Sequence, residues 1–242
     1  MRKERKLSPT RKPRFLNILM KKRLVMFDFD GTLVDSEGYW RQSAIRLLCE
    51  KGIEIPECFF EDYDKLMFTA GLKMIDLDKE NADKIGMTLA ERKSWAFDNM
   101  AKLYLTSVKL KKGAAELVRR THELGIAAVI VTASRGKDVE AATEHYGFAD
   151  CIREVISVVD NPKRKESPAV YLEICERYGV TPAEALLIDD KSTALAAARE
   201  SGMSAFGVFD RSKEKKIEET KAACDAYFYT PEDIIPELEE LK

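Results

Sequence analysis

The sequence predicts an α/β protein, a doubly wound parallel-sheet (Rossmann-like) core with an α-helical domain inserted near its start. Three observations predict it. Short unbroken apolar runs recur at Arg23–Phe29, Ala127–Thr132 and Ala185–Asp189, as expected of strands buried on both faces. Helical stretches separate the later runs and end near Gly125, Gly147, Gly179 and Gly202, where a helix end favours a left-handed residue. Between the first run and the second, the patterning is helical and no convincing strand is found.

The elements follow in order. Residues 1–19 carry Arg2, Lys3, Arg5, Lys6, Arg11, Lys12 and Arg14 against Glu4 alone, and Pro9 and Pro13 break any helix. That stretch reads as a disordered basic extension, or as sequence upstream of a start at Met20, rather than as an arm for an acidic partner. Arg23–Phe29 is the first strand. Helical patterns at Tyr39–Lys51, Glu57–Phe68, Leu72–Ile85 and Leu89–Leu105 then define an inserted domain at 38–106, with Trp40, Trp95 and Phe97 as packing residues. Residues 20–37 and 107–242 form the core. Its helices are Ala114–Leu124, Lys137–His145, Pro168–Tyr178 and Ser192–Ser201; its later strands are Ala127–Thr132, Glu154–Val159, Ala185–Asp189, Ser204–Val208 and Ala226–Phe228. Thr230-Pro231-Glu232-Asp233 has the residues of a helix start: a cap, a proline at the first position, then acids facing the dipole.

Composition excludes several classes. Forty Lys and Arg against 42 Asp and Glu give a formal net charge of -2, so no global basic field draws nucleic acid. No apolar run reaches the roughly 18 residues that cross a bilayer, and no signal peptide is visible, so a cytoplasmic protein without a membrane partner is expected. The five cysteines are scattered and form no C-x-x-C pair; they read as reduced, small apolar residues.

In such a sheet, ligands bind at the carboxyl ends of the strands. The first strand ends in Asp28-Phe29-Asp30-Gly31-Thr32, the second in Thr132-Ala133-Ser134 and the fourth in Asp189-Asp190; Lys163-Arg164-Lys165 follows the weak third. Converging carboxylates repel one another and call for a cation, and an all-oxygen set without His or Cys suits Mg²⁺. An Asp can attack phosphorus, and a second Asp two residues on can protonate the leaving oxygen and then activate water. Singly, each group has an ordinary explanation: a turn, a helix cap, a solvated charged face. Four successive strand ends point jointly to chemistry.

The motifs also carry a resemblance. DFDGTLVDSE at Asp28–Glu37, VIVTAS at Val129–Ser134, Lys165-Glu-Ser-Pro168-Ala-Val-Tyr171 and LLIDDKSTALAAARESGM at Leu186–Met203 resemble, in order and spacing, the four motifs of the haloacid dehalogenase-like hydrolase superfamily. The likeness runs from about Leu24 to Leu238. It implies Asp28 as nucleophile and metal ligand, and Asp30 as acid/base with its carbonyl on Mg²⁺. It implies Thr132 and the Ala133 N–H on a phosphoryl oxygen, and Lys165 neutralising the phosphate, with Lys163 the weaker candidate. Asp190 would ligate Mg²⁺, and Asp189 would do so directly or through water. The insertion would be a mobile cap, with Gly71 and Lys73 at its substrate-specificity loop. Lys191, Ala194 and Glu166 depart from the family pattern, and Lys191 is expected to place an extra cation beside the metal.

The expected activity is a Mg²⁺-dependent phosphatase acting on a small phosphorylated metabolite through an aspartyl-phosphate, in a monomer or weak dimer. A β-phosphoglucomutase-like mutase is the alternative, less favoured because Trp40 stands where that family carries a His and the second motif reads T-A-S. A non-catalytic phosphometabolite-binding protein is the distant alternative, disfavoured by the presence of both Asp28 and Asp30.

Overall fold

In a computed structural model of the chain, residues 21–54, 84–159, 161 and 163–241 are described. Six strands form one parallel sheet: β1 (Leu24–Phe27), β2 (Ala127–Thr132), β3 (Glu154–Ser157), β4 (Ala185–Asp189), β5 (Ser204–Val208) and β6 (Ala226–Phe228). Their order is β3-β2-β1-β4-β5-β6. The chain therefore winds outward from β1 through β2 and β3, then returns to add β4, β5 and β6 on the other side. The crevice of such a sheet opens where the winding reverses, at the carboxyl ends of β1, β2 and β4.

The strand residues alternate between two apolar cores. Val25 and Phe27 of β1 lie in one, together with Leu117 and Val118 of α3 (Ala114–Glu123) and Val139 and Ala142 of α4 (Gly136–His145). Leu24 and Met26 lie in the other, with Val170 and Ile174 of α5 (Pro168–Arg177) and Leu195 and Ala198 of α6 (Ser192–Glu200). Every β1 residue is fully buried. Each such side chain contributes about 1.5–3 kcal/mol from burial, which explains why the run needs no polar face.

Between β1 and α3, helices α1 (Glu37–Glu50) and α2 (Leu89–Thr106) pack on each other. A reciprocal cap fixes the start of α2: the Glu91 N–H donates to Thr88 Oγ1, and Glu91 accepts the Thr88 N–H at 2.7 Å. Trp40 meets Phe97 edge-on at 5.5 Å, and Met100 and Tyr104 belong to the same apolar cluster as Phe29 and Leu33 of the core. The segments before α1 and after α2 run side by side. There Val34 pairs antiparallel with Leu110, the Asp35 N–H donates to Lys109 O at 2.9 Å and the Lys111 N–H to Leu33 O at 2.9 Å.

Some elements differ from the sequence reading. The first strand ends at Phe27, because Asp28 already begins the loop, and β3 ends at Ser157 as a half-buried edge. The Thr230 cap is present, but it starts a 3₁₀ turn, Pro231–Ile234, and the helix proper, α8 (Ile235–Glu240), begins only after it; the remaining α-helix, α7, spans Ile217–Ala223. Cys175 and Cys224 are buried as expected, while Cys49 is exposed. Residues 1–19, the helical pattern at 57–68 and all but the last two residues of the pattern at 72–85 lie outside the described residues.

Gly113 shows how tightly the core closes. It precedes α3 at φ +77°, and a Cβ there would fall 2.5 Å from Glu232 Cβ and 2.6 Å from its backbone. Gly113→Ala is expected to cost at least about 2 kcal/mol in a urea or thermal melt. Gly38→Ala, in the first turn of α1 with nothing near its Cβ, is expected to stabilise by about 0.5–1 kcal/mol.

Candidate active site

Register brings the acids together. Phe27 is level with Ile188, so the next residues, Asp28 and Asp189, emerge side by side, and the Asp28 N–H donates to Ile188 O at 2.9 Å. Asp28, Asp189 and Asp190 are all buried, and one carboxylate oxygen from each lies within 4.8 Å of the others. Gly31 permits this closeness. It turns at φ +82°, and any Cβ there would overlap the Asp190 carboxylate.

Lys165 joins the cluster from the loop before α5. Its ammonium contacts Asp28 Oδ1 and Asp189 Oδ2, each at 2.6 Å. Thr32 donates to the other Asp28 oxygen at 3.0 Å, and the Lys191 N–H donates to Asp189 Oδ1 at 2.8 Å. The backbone at Arg164 adopts φ +40° between the two lysines of this segment. Lys163 is exposed and pairs with Glu173, so the structure brings Lys165, not Lys163, to the acids.

Burial raises the Asp28 carboxyl to about 7, against the pull of Lys165. It raises Asp190 to about 7 against Lys213, and pushes Asp189 upward as well. For Lys165, burial works downward, but Asp189 and Asp28 outweigh it and hold the ammonium well above its ordinary range. Lys213, from the turn after β5, contacts Asp190 Oδ2 and lies 3.0 Å from Glu37 Oε1.

The acid cluster fits a divalent cation. Its donors are all oxygens, and the buried Asp189 Oδ2, although beside the Lys165 ammonium, receives no directed hydrogen bond. Asp28, Asp189 and Asp190 are the residues that could hold it.

Asp30 is treated differently. Its Oδ1 accepts from Ser36 Oγ at 2.5 Å, Tyr104 OH at 2.6 Å and Trp40 Nε1 at 3.1 Å, and its Oδ2 from Ser134 Oγ at 2.6 Å. Trp40, expected as packing alone, packs and donates. Burial, then the Asp30 charge, raises the Tyr104 phenol well above its usual range, so it stays protonated. Thr132 is fully buried at the end of β2 and its Oγ1 accepts the Ser134 N–H at 3.0 Å, while Ala133 faces solvent.

Sequence reasoning missed Ser36, Tyr104 and Lys213. Ser36 lies inside the DSE motif and could have been weighed; Tyr104 lies in an amphipathic helix and Lys213 in a charged run, which hide them. Lys191 departs from the expectation of an extra cation at the metal. Its ammonium turns to Glu166 Oε1 at 2.6 Å, so two departures from the family pattern pair with each other. Gly71 and Lys73 lie outside the described residues. His122 and His145 are exposed on α3 and α4. Among the described residues, no helix is long and apolar enough to cross a membrane.

The profile of the family described as haloacid dehalogenase-like hydrolase matches residues 22–202. The chain is a haloacid dehalogenase-like hydrolase. It is 24% identical over 200 residues to a phosphoglycolate phosphatase of Vibrio vulnificus (strain CMCP6), covering 77% of this chain and 83% of that one. It is 30% identical over 193 residues to protein CbbY of Rhodobacter capsulatus, covering 76% and 84%. The solved structure of CbbY from Rhodobacter sphaeroides in complex with phosphate superposes at a TM-score of 0.71, with 18% identity, over 90% of this chain and 99% of that one. The hydrolase is thus an enzyme, a phosphoric monoester hydrolase by its family and its named relatives.

The raised carboxyls set a pH dependence. Folded Asp28 and Asp190 near 7, against an ordinary value of 3.8, hold protons that the unfolded chain releases. Their contribution to stability is full below about pH 4 and lost as pH rises through about 7. The hydrolase freed of metal by a chelator is expected to melt at a lower temperature at pH 8 than at pH 5. Mg²⁺ at about a hundredfold excess over its Kd should raise the pH 8 midpoint by about 5 °C, and Asp190→Asn should blunt that rise. Midpoints independent of pH and of Mg²⁺ would contradict this reading of the cluster.

Proposed function

We propose that the hydrolase is a Mg²⁺-dependent phosphatase that cleaves a small phosphorylated metabolite through an aspartyl-phosphate on Asp28. The observation that carries this is the buried set of Asp28, Asp189 and Asp190, with the Lys165 ammonium on the first two and the Lys213 ammonium on the third. Mg²⁺, held by Asp28, Asp189 and Asp190 with the Asp30 carbonyl, would supply charge neutralisation for the anionic nucleophile and phosphoryl group.

The chain's own residues do the rest. Lys165 and Thr32 hold the Asp28 carboxylate with its oxygens fixed, ready to attack phosphorus. As the bond from phosphorus to the leaving oxygen breaks, Asp30 gives that oxygen a proton. Asp30 then takes a proton from the water that attacks the aspartyl-phosphate, restoring both acids. Thr132 and the Ala133 N–H are assigned to a phosphoryl oxygen. The segment 38–106 is assigned as a cap that excludes water and selects the substrate, with Gly71 and Lys73 in its specificity loop.

Phosphoglycolate and xylulose 1,5-bisphosphate head the substrate panel. The first is named for the Vibrio relative, and the second is bound in a CbbY structure from Rhodobacter sphaeroides. Released phosphate, measured across such a panel with Mg²⁺, should identify at least one good alkyl monoester substrate. Asp28→Asn should lower kcat by about 10³-fold or more, and EDTA should abolish turnover reversibly. Glucose 6-phosphate formed from β-glucose 1-phosphate without phosphate release would establish a mutase instead. Binding across the panel without turnover would establish a non-catalytic protein.

A further inference from the structure

Asp30 accepts four hydrogen bonds, and the four donors differ in how firmly they are placed. Ser36 and Ser134 offer hydroxyls that can rotate away, and the Trp40 N–H is the longest contact at 3.1 Å. Tyr104 is fixed from three directions. Its ring is 1% exposed and stands edge-on to Phe29 at 5.4 Å, the residue between Asp28 and Asp30. Its carbonyl accepts the Tyr146 hydroxyl at 2.9 Å, which also reaches Val108 O at 2.9 Å, so the end of α2 is pinned to α4. A fixed ring holds the phenol oxygen in one place, and its O–H keeps near the ring plane.

The Tyr104 oxygen meets Asp30 Oδ1 at 2.6 Å and Ser134 Oγ at 3.3 Å, while Ser134 holds Oδ2 at 2.6 Å. These three residues form a closed triangle that gives each carboxyl oxygen its own donor. The Asp30 χ2 torsion is intrinsically broad, so a carboxyl without such contacts on both oxygens would present its acidic oxygen in many directions.

We propose that Tyr104 is a positioning residue for Asp30, aiming its carboxyl at the oxygen of the departing group. The proposal rests on the reading of Asp30 as the acid/base. Tyr104 keeps its own proton throughout. The proton that moves is Asp30's, passing to the leaving oxygen as the Asp28–phosphorus bond forms and the phosphorus–leaving-oxygen bond breaks.

The leaving group provides the test. An alkoxide leaves poorly and needs the proton, whereas p-nitrophenolate leaves well without it. In the full-length hydrolase with Mg²⁺, Tyr104→Phe removes one oxygen and keeps the ring. It should lower kcat/KM on an alkyl phosphate from the substrate panel by about 10-fold or more, and on p-nitrophenyl phosphate by less than about 3-fold. Ser134→Ala should show the same asymmetry, which a general loss of folding would not produce. Equal losses on both esters, or no loss on either, for both variants would overturn the proposal. Asp30→Asn separates the two levels. If it shows the asymmetry and the other variants do not, only the assignment of Tyr104 falls. If it spares the alkyl ester, the acid/base reading falls and the proposal with it.

Discussion

The ammonium of Lys165 stands between two buried carboxylates, Asp28 and Asp189, at 2.6 Å from each. Three buried acids without compensation would drive one another to take up protons or push the loops apart, since an unpaired buried charge costs several kcal/mol. Much of the local architecture serves this contact. The parallel register sets Asp28 beside Asp189, Gly31 removes the side chain that would separate Asp190 from the first loop, and Tyr171 of α5 donates to the Lys165 carbonyl at 2.9 Å. The same compensation leaves a concentrated negative site that a divalent cation and an anionic substrate can share.

Helices α1 and α2 are part of this arrangement. Trp40, Phe97, Met100 and Tyr104 share one apolar cluster with Phe29 and Leu33. Arg135, just before α4, pairs with Asp98 of α2 at 2.8 Å and lies over the Phe97 ring. Trp40 and Tyr104 of these helices therefore meet Ser134, which follows β2, on Asp30, which Lys165 does not touch. Asp28 and Asp30, two residues apart, are thus held by different sets of side chains.

The fold was largely legible because its strands are buried on both faces and say so in their composition. Asp28, Asp189 and Asp190 could be found by asking what stands at the carboxyl ends of such strands. What stayed hidden depends on distance along the chain or on backbone detail. Tyr104 is 74 positions from Asp30 and looks like any buried aromatic of an amphipathic helix. Lys163 and Lys165 look alike in a list of letters; the turn between them sends one to Glu173 and the other inward. The end of β3 and the 3₁₀ start before α8 were misplaced because frayed edges follow local hydrogen bonding more than hydrophobic period.

Lys213 adds a different lesson. It contacts Asp190 from the turn after β5, beyond residue 202, where the family match ends. The shared motifs thus record the acids of the site but not all of its counter-charges. Lys213 balances Asp190 from outside the motifs that hold the acids. The charge of such a centre therefore depends on its periphery as well as on its signature residues.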